Sequence, residues 1–329
     1  MSAALRSVAF TAHRTAELVT QPADEAPMGA GEIGGPTLAS LVSPGTELNW
    51  AYLGQEFPSY PGYAAVFRVE AMGPDVCGFD VGDLAFCMGP HRSRQRAVAR
   101  DAVRAPSGLG AAPACLCRLM NVSMSTLTTA TARPPQDVLV TGLGIVGHLA
   151  AQIFASCGYR VLAVDPDEPR RALAREKGLE AVFAQTPLKD TDLAGRVALA
   201  LECSGHEAAA IECCRMVRQR GEVVLVGVPW RKNTEQSAHE LLHAIFHQYA
   251  VVRSGWEWEV PRHPAPFVTG SLQENLEAAL RWIADGRVDV SGLYETVSPA
   301  ECGAVYEGLL DRSWPALSAI YDWAGLSEE

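Results

Sequence analysis

Three glycines, Gly142, Gly144 and Gly147, stand at G-x-G-x-x-G spacing within Val138–Gly147, VLVTGLGIVG. An apolar, strand-like run (Val138, Leu139, Val140) precedes them, and a helical pattern from Ile145 to Cys157, stopped by Gly158, follows. In such a turn the first glycine permits a tight bend and the second lets a pyrophosphate reach the backbone. The third lets helix and strand pack closely. Unpaired N–H groups at the helix start, with their partial positive charge, supply the anion-binding chemistry. A second strand, Arg160–Val164, ends at Asp165, whose carboxylate can accept hydrogen bonds from both hydroxyls of an adenosine ribose and repels a 2′-phosphate. The segment is therefore expected to bind a dinucleotide, with NAD(H) favoured and NADP(H) still open. Arg170 and Arg171 lie close by, and two readings stand for them: partners of a 2′-phosphate, or the solvated first turn of a helix Pro169–Lys177.

The elements around this turn suggest an α/β architecture. From Asp137 to Gly255 strand and helix patterns alternate: Ala181–Ala184, strand Val197–Glu202, helix His206–Arg220 ended by Gly221, and strand Glu222–Val228. A helix near His239–Tyr249 and a β-branched run Ala250–Arg253 complete the series. Such alternation implies right-handed crossovers and a parallel sheet covered on both faces. Residues from about Arg6 to Pro106 are β-rich and turn-rich, with strand-like runs at Tyr63–Glu70 and Asp83–Met88. Cys115–Ala132 reads as a connecting helix. The tail, with helices Leu272–Asp285 and Pro299–Leu310 and a final apolar run Pro315–Trp323, is too short to fold alone and is expected to return to the N-terminal part. The expected domains are 1–118, 119–255 and 256–329.

The 329 residues suffice for two domains. A net charge of −11 argues against nucleic acid as a partner, because phosphate binding needs clustered Lys and Arg. No apolar window demands a membrane span, and Arg6, His13 and Arg14 interrupt any signal-peptide core. The nine cysteines show no C-x-x-C spacing, so inert core thiols in a reducing, cytoplasmic compartment are expected. His239, His243 and His247 recur at i, i+4, i+8 on one helical face. They form either a metal-binding stripe or, without a companion Glu motif, a polar one.

The order of these parts resembles the medium-chain dehydrogenase/reductase superfamily over nearly the whole chain. The residues that carry the resemblance are Ser43-Pro44-Gly45-Thr46-Glu47, Tyr60-Pro61-Gly62-Tyr63, Gly78-Phe79-Asp80-Val81-Gly82-Asp83, the glycine fingerprint, Cys203-Ser204-Gly205 and Gly221-Glu222-Val223-Val224. The wording of the first three is most similar to the branch around the bacteriochlorophyllide hydroxyethyl dehydrogenase. The resemblance implies a GroES-like β-rich catalytic domain joined to a doubly wound Rossmann domain. It further implies that Gly142, Leu143, Gly144, Ile145 and Val146 cradle the pyrophosphate, with Gly147 closing the turn. Asp165 and Arg170 would meet the adenosine ribose, Cys203 and Ser204 the adenine side, and Gly227, Val228 and Thr126 the nicotinamide. A homodimer joined through an edge strand such as Ala250–Arg253 is implied as well.

Departures from the superfamily pattern are as informative. Zinc-using members carry Cys where this chain has Pro44, and Gly-His-Glu where it has Gly62-Tyr63-Ala64; their third ligand falls near Val122. Zinc needs three N, S or O ligands, so a site without metal is expected. Hydride transfer then needs other hydrogen-bond donors and a positioned acid. Thr46 matches the superfamily's proton-relay hydroxyl, and Asn49 falls where some relatives have a relay His. Tyr63 either polarises substrate in place of the metal or merely fills the vacated volume. His91, in Gly89-Pro90-His91, is read either as a proton shuttle near neutral pH or as a surface-loop residue beside Arg92, Arg94 and Arg96. Glu47 is expected to pair with a buried basic group or backbone.

The leading expectation is a zinc-independent NAD(P)-dependent oxidoreductase of specialised metabolism. It would move a hydride to or from a small molecule: a secondary alcohol or ketone, or an activated C=C or C=N bond. Trp50, Tyr52, Phe57, Tyr60, Trp256 and Trp258 are candidates to line an apolar substrate pocket. A non-redox lyase or cyclase using NAD, and an inactive nucleotide-binding protein, are the alternatives, since fold alone does not decide chemistry.

Overall fold

The computed structural model describes residues 4–23 and 26–326. The chain divides into two units. One holds the residues through Arg118 together with Leu276–Ala284 and the chain from Val290; the other holds Leu119–Asn275 and Asp285–Asp289. Residues 256–275 therefore group with the second unit rather than with the tail. Two contacts show why: Glu257 is buried and accepts a 3.0 Å hydrogen bond from Asn121, and Asn275 donates to Ser125.

The second unit is a six-stranded parallel sheet. Its elements are β1 (Asp137–Thr141), α1 (Ile145–Ser156), β2 (Arg160–Val164), α2 (Glu168–Glu176), β3 (Ala181–Phe183), β4 (Val197–Glu202), α3 (Glu207–Met216), β5 (Val217–Leu225), α4 (Ala238–Gln248) and β6 (Val251–Ser254). The strand order is β3-β2-β1-β4-β5-β6. Val138 on β1 sits opposite Val161 on β2 and Leu199 on β4. The order reverses between β1 and β4, which opens a crevice beyond the carboxyl ends of these strands. Because helices cover both faces, the central strands are continuous apolar runs, and Val138, Leu139 and Val140 are all buried.

Two element boundaries differ from the sequence reading. The helix expected over His206–Arg220 ends at Met216, and the chain enters β5 at Val217. Gly221 does not stop the helix. It belongs to a bulge in β5, where the register against β4 jumps and Arg220 takes a φ of 61°. The single helix expected over Cys115–Ala132 is two, Ala111–Cys115 and Cys117–Thr129, separated at Leu116.

In the first unit the hub is the long strand Glu32–Leu41. It pairs with Ala65–Arg68 and Ser318–Asp322, and at its beginning with Ala71–Met72 and Arg94–Val98. Tyr294–Val297 lies outside Ser318–Asp322, so late strands of the chain complete the sheet that begins with Glu32–Leu41. Beneath this sheet Phe10, Val42, Leu48, Tyr52, Val305, Tyr306, Tyr321 and Trp323 form one core. Tyr52, expected to line a substrate pocket, instead packs between Phe10 and Tyr306 with ring centroids 5.3 and 5.4 Å away. Burying its ring here outweighs exposure because the phenol finds a polar exit, donating to the Arg14 carbonyl at 2.9 Å. Phe57 packs against the same core.

Candidate functional site

In the second unit, the three fingerprint glycines do separate work. Gly142 has a φ of +83°, a left-handed conformation suited to a residue without Cβ. At Gly147 a Cβ would lie 1.8 Å from the Gly142 carbonyl oxygen, so only glycine allows the turn to close on the helix. At Gly144 a Cβ would meet nothing within 4 Å. Gly144 is also the N-cap of α1, and no side chain caps its first amides. Those amides of Ile145, Val146 and Gly147 are donors without an intrahelical partner. The cradle therefore fits a pyrophosphate.

Asp165 is buried, and its oxygens accept from the backbone N–H of Leu143 at 2.6 Å and of Asp167 at 2.8 Å. Arg170 stands 3.6 Å from the same carboxylate. Asp165 thus braces the glycine turn against the start of α2, while an ionised carboxylate keeps lone pairs beyond these two bonds. Arg171 is neither a solvated residue nor aimed outward: it donates to the Asp165 carbonyl at 2.7 Å and pairs with Glu168.

At the ends of β4 and β5, two loops meet through glycines. A Cβ on Gly227 would lie 2.2 Å from the Gly205 nitrogen, and one on Gly205 would lie 2.5 Å from the Val228 oxygen. Glu202 is buried beneath them. It accepts the Ser204 N–H at 2.7 Å, the Gly205 N–H at 3.0 Å and the Ser204 hydroxyl, fixing the Cys203-Ser204 backbone. Burial raises the Glu202 pKa against the lowering by these donors. Val228 is exposed. Thr126, on the helix Cys117–Thr129, is buried with no hydrogen-bond partner for its hydroxyl, and so is Ser123. A buried hydroxyl left unpaired costs roughly 1–3 kcal/mol.

His148, directly after Gly147, is buried and donates from Nε2 to the Arg170 carbonyl at 3.1 Å. Desolvation lowers its pKa to about 4. The unfolded chain takes up this proton below about 6.5, whereas the folded protein does so only near 4, so stability is fully present above about 6.5. It is lost as pH falls through that window, by about 3 kcal/mol in total. Urea unfolding at pH 7 and pH 4.5 should show this fall, and His148→Gln should flatten it.

In the β-rich unit, Ser43-Pro44-Gly45-Thr46-Glu47 begins a helical segment that widens to a π-helix over Glu47–Tyr52. The Glu47 carboxylate folds back onto the start of this turn, accepting the Ser43 N–H at 2.7 Å. Its other oxygen faces His91 Nε2 at 3.1 Å and accepts the Tyr306 hydroxyl. His91 Nδ1 lies 2.8 Å from Ser40 Oγ, which also accepts from Trp323 Nε1 at 2.8 Å. His91 is 0% exposed with both nitrogens engaged, so it is neither a surface residue nor a shuttle open to substrate. Its neighbours Arg94 and Arg96 take the outer face, pairing with Glu70 and Glu32.

Tyr63 lies on the other side of the turn. Its hydroxyl donates to Ser43 Oγ, and the Arg118 guanidinium lies 4.8 Å over its ring. Burial and the Glu47 charge raise the Tyr63 pKa, while Ser43, Thr46 and Arg118 pull the other way. Thr46 is partly exposed; Asn49 bonds locally, donating to the Gly45 carbonyl at 2.8 Å. Trp50 and Tyr60 are exposed on this unit, and Trp256 and Trp258 on the other. Sequence reasoning brought Thr46 and Tyr63 forward but passed over Ser43, which sits in the same motif, and Tyr306 and Ser40, which carry no local signal.

Other features do not join this site. A cleft of about 520 Å³ lined by Asp83, Arg104, Glu277 and Arg281 contains none of the candidate residues. His239, His243 and His247 are exposed along α4, and no metal-binding group of three or more His, Cys, Asp or Glu occurs among the described residues. Six of the nine cysteines are buried and Cys77 is exposed; burial pushes the Cys87 thiol up to about 12 and the Cys302 thiol to about 11. No described helix is long and apolar enough to cross a membrane.

Comparison with known proteins agrees with this geometry. The zinc-binding dehydrogenase family profile matches residues 146–258. An alcohol dehydrogenase of Geobacillus stearothermophilus is 23% identical over 271 residues, covering 71% of this chain and 74% of that protein. Galactitol-1-phosphate dehydrogenase of Escherichia coli superposes with a TM-score of 0.82 at 15% identity, over 96% of this chain and 99% of that one. Acetophenone reductase of Geotrichum candidum, solved with NAD, gives 0.77 at 16% identity over 99% of each. The chain is thus similar to zinc-binding dehydrogenases over residues 146–258, and it shares the GroES-like and Rossmann architecture of these solved structures.

Proposed function

We propose that this protein is an NAD(P)-dependent oxidoreductase acting on a small alcohol or carbonyl compound without catalytic zinc. The observation that carries the reading is the open pyrophosphate cradle at Gly144; the β-rich unit by itself holds a part-buried, hydrogen-bonded phenol, Tyr63. When bound, the nicotinamide supplies or accepts a hydride. Ile145, Val146 and Gly147 amides hold the phosphates, Asp165 orients the ribose, and Thr126 offers its free hydroxyl to the nicotinamide end.

The superfamily's zinc does not fit the residues present. Pro44 has no ligand atom, and the position of the His ligand is held by Tyr63, whose oxygen is bonded to Ser43. Proton delivery then falls to Tyr63, with Thr46 as the more exposed hydroxyl beside it. His91 acts through Glu47 and not on substrate. Acetophenone and 2,3-butanediol are suitable first probes, because relatives with this fold are named for such ketones and diols.

Among the described residues the edge strand β6 pairs only with β5, and Leu242, Phe246, Tyr249 and Val251 around it are exposed. These features support a homodimer formed by β6 of two copies, and the free cysteines support a reducing, cytoplasmic compartment. One preparation tests the whole reading. Calorimetric titration with NADH and NADPH should give micromolar binding, elemental analysis should give no stoichiometric zinc, and sedimentation velocity should give a dimer. Zinc at one equivalent in active protein would overturn the metal-free mechanism. Failure of both nucleotides to bind would overturn the function.

A further inference from the structure

The histidine stripe on α4 takes no part in the candidate site, and its geometry carries chemistry of its own. His243 and His247 are four residues apart, so about 40° of rotation and 6 Å of rise separate them on one helix face. Both are exposed, and their ring centroids lie 4.1 Å apart. That is closer than the roughly 5–6 Å between Cβ atoms at this spacing, so the rings lean toward one another. Among the described residues no hydrogen bond or ion pair holds either ring, which leaves imidazole nitrogens open to a ligand.

The backbone beneath the pair is fixed. Leu241, Ala244 and Ile245 pack the opposite face of α4 into the core of the parallel sheet, and Gln248 donates to the Val217 carbonyl at 2.6 Å. Glu240 is committed to the helix start, where it accepts the Ser237 N–H at 2.7 Å. The ligands on this face are therefore two imidazoles. His239 completes the stripe but cannot join them in one site. Its ring lies 6.1 Å from that of His243, and about 12 Å of helix rise separates it from His247.

We propose that His243 and His247 form a two-histidine chelate for a late first-row divalent cation such as Ni2+ or Cu2+, with water in its remaining positions. Imidazole suits these ions, and affinity rises along the row to copper. Two metal–nitrogen bonds of about 2.0–2.1 Å at a right angle need donor atoms ~3 Å apart. Two exposed rings already this close can turn to meet that spacing. With only two protein ligands the ion is exchangeable, and desalting should remove it. None of Pro44, Tyr63 and Val122, which stand at the superfamily's zinc positions, lies on α4. The chelate and the metal-free reading of the active site therefore stand or fall separately.

Calorimetric titration of the desalted, tag-free protein with NiCl2 at pH 7.5 tests the proposal. One Ni2+ per chain is expected, with a dissociation constant in the micromolar range. His243→Gln and His247→Gln should each weaken binding at least ~10-fold, since even changes behind a metal ligand cost that much. His239→Gln is the internal control and should stay within about twofold of the parent. All three side chains are exposed, so the variants should melt with the parent, which circular dichroism checks. Lowering the pH to 5.5 should release the ion, because protons compete for the imidazole nitrogens. Equal losses in all three variants would show scattered binding to surface histidine and overturn the chelate. No binding in the parent, or full binding without His243 or His247, would overturn it as well. NADH titrated into the same preparation reports on the nucleotide reading independently.

Discussion

Gly144→Ala and Gly147→Ala, two substitutions three residues apart, are expected to fail in different ways. At Gly147 the new methyl group would sit 1.8 Å from the Gly142 carbonyl oxygen and 2.9 Å from its carbon. These are backbone atoms, so no side chain can swing aside, and the loop must separate from the helix. Overpacking of this kind costs about 1–3 kcal/mol of stability, and the displaced amides should weaken NADH binding by at least ~100-fold, about 2.7 kcal/mol. At Gly144 the φ of −67° suits alanine and the methyl group meets no protein atom. That variant should unfold at the same temperature as the parent yet still bind NADH more weakly, because its methyl stands where the phosphates approach. Thermal melts and calorimetry on the pair separate the two effects. Unchanged NADH affinity in Gly144→Ala would move the nucleotide away from this helix.

Tyr63→Phe carries the second large effect. The ring stays, so its packing under Arg118 is preserved, and the hydroxyl bonded to Ser43 is lost. A positioned general acid contributes typically 10²–10⁴-fold, and turnover of acetophenone by NADH is expected to fall by about that factor. NADH affinity should stay within about twofold, since the cradle lies in the other unit. If Tyr63 only fills volume, phenylalanine would do so equally well and turnover would not change.

How much could be foreseen depended on whether the signal was local. The strands at Arg160–Val164 and Val197–Glu202 were legible to the residue, because both lie in a sheet covered on two faces and read as uninterrupted apolar runs. The glycine turn was legible because each glycine has a steric reason that sequence spacing reveals. Gly221 was misleading: a glycine after a helical pattern reads as a stop, and only the partner strand shows it to be a bulge. His91 was misleading for another reason. Flanked by Arg92, Arg94 and Arg96 it looks solvated, yet the arginines alternate outward along a strand while the imidazole faces the core. Its true surroundings combine Ser40, Glu47, Tyr306 and Trp323, and the Ser40–Trp323 bond alone joins residues 283 positions apart. No periodicity encodes such a meeting. It arises because the last strand pairs with Glu32–Leu41.

That pairing has a consequence for how the protein is made. Residues 119–275 are contiguous and can condense while still emerging from the ribosome, but the clamp on Glu47 waits for Tyr306 and the Ser40 bond waits for Trp323. A chain ending near Val290 would lack Tyr306 and Trp323, and with them the bonds they make to Glu47 and Ser40.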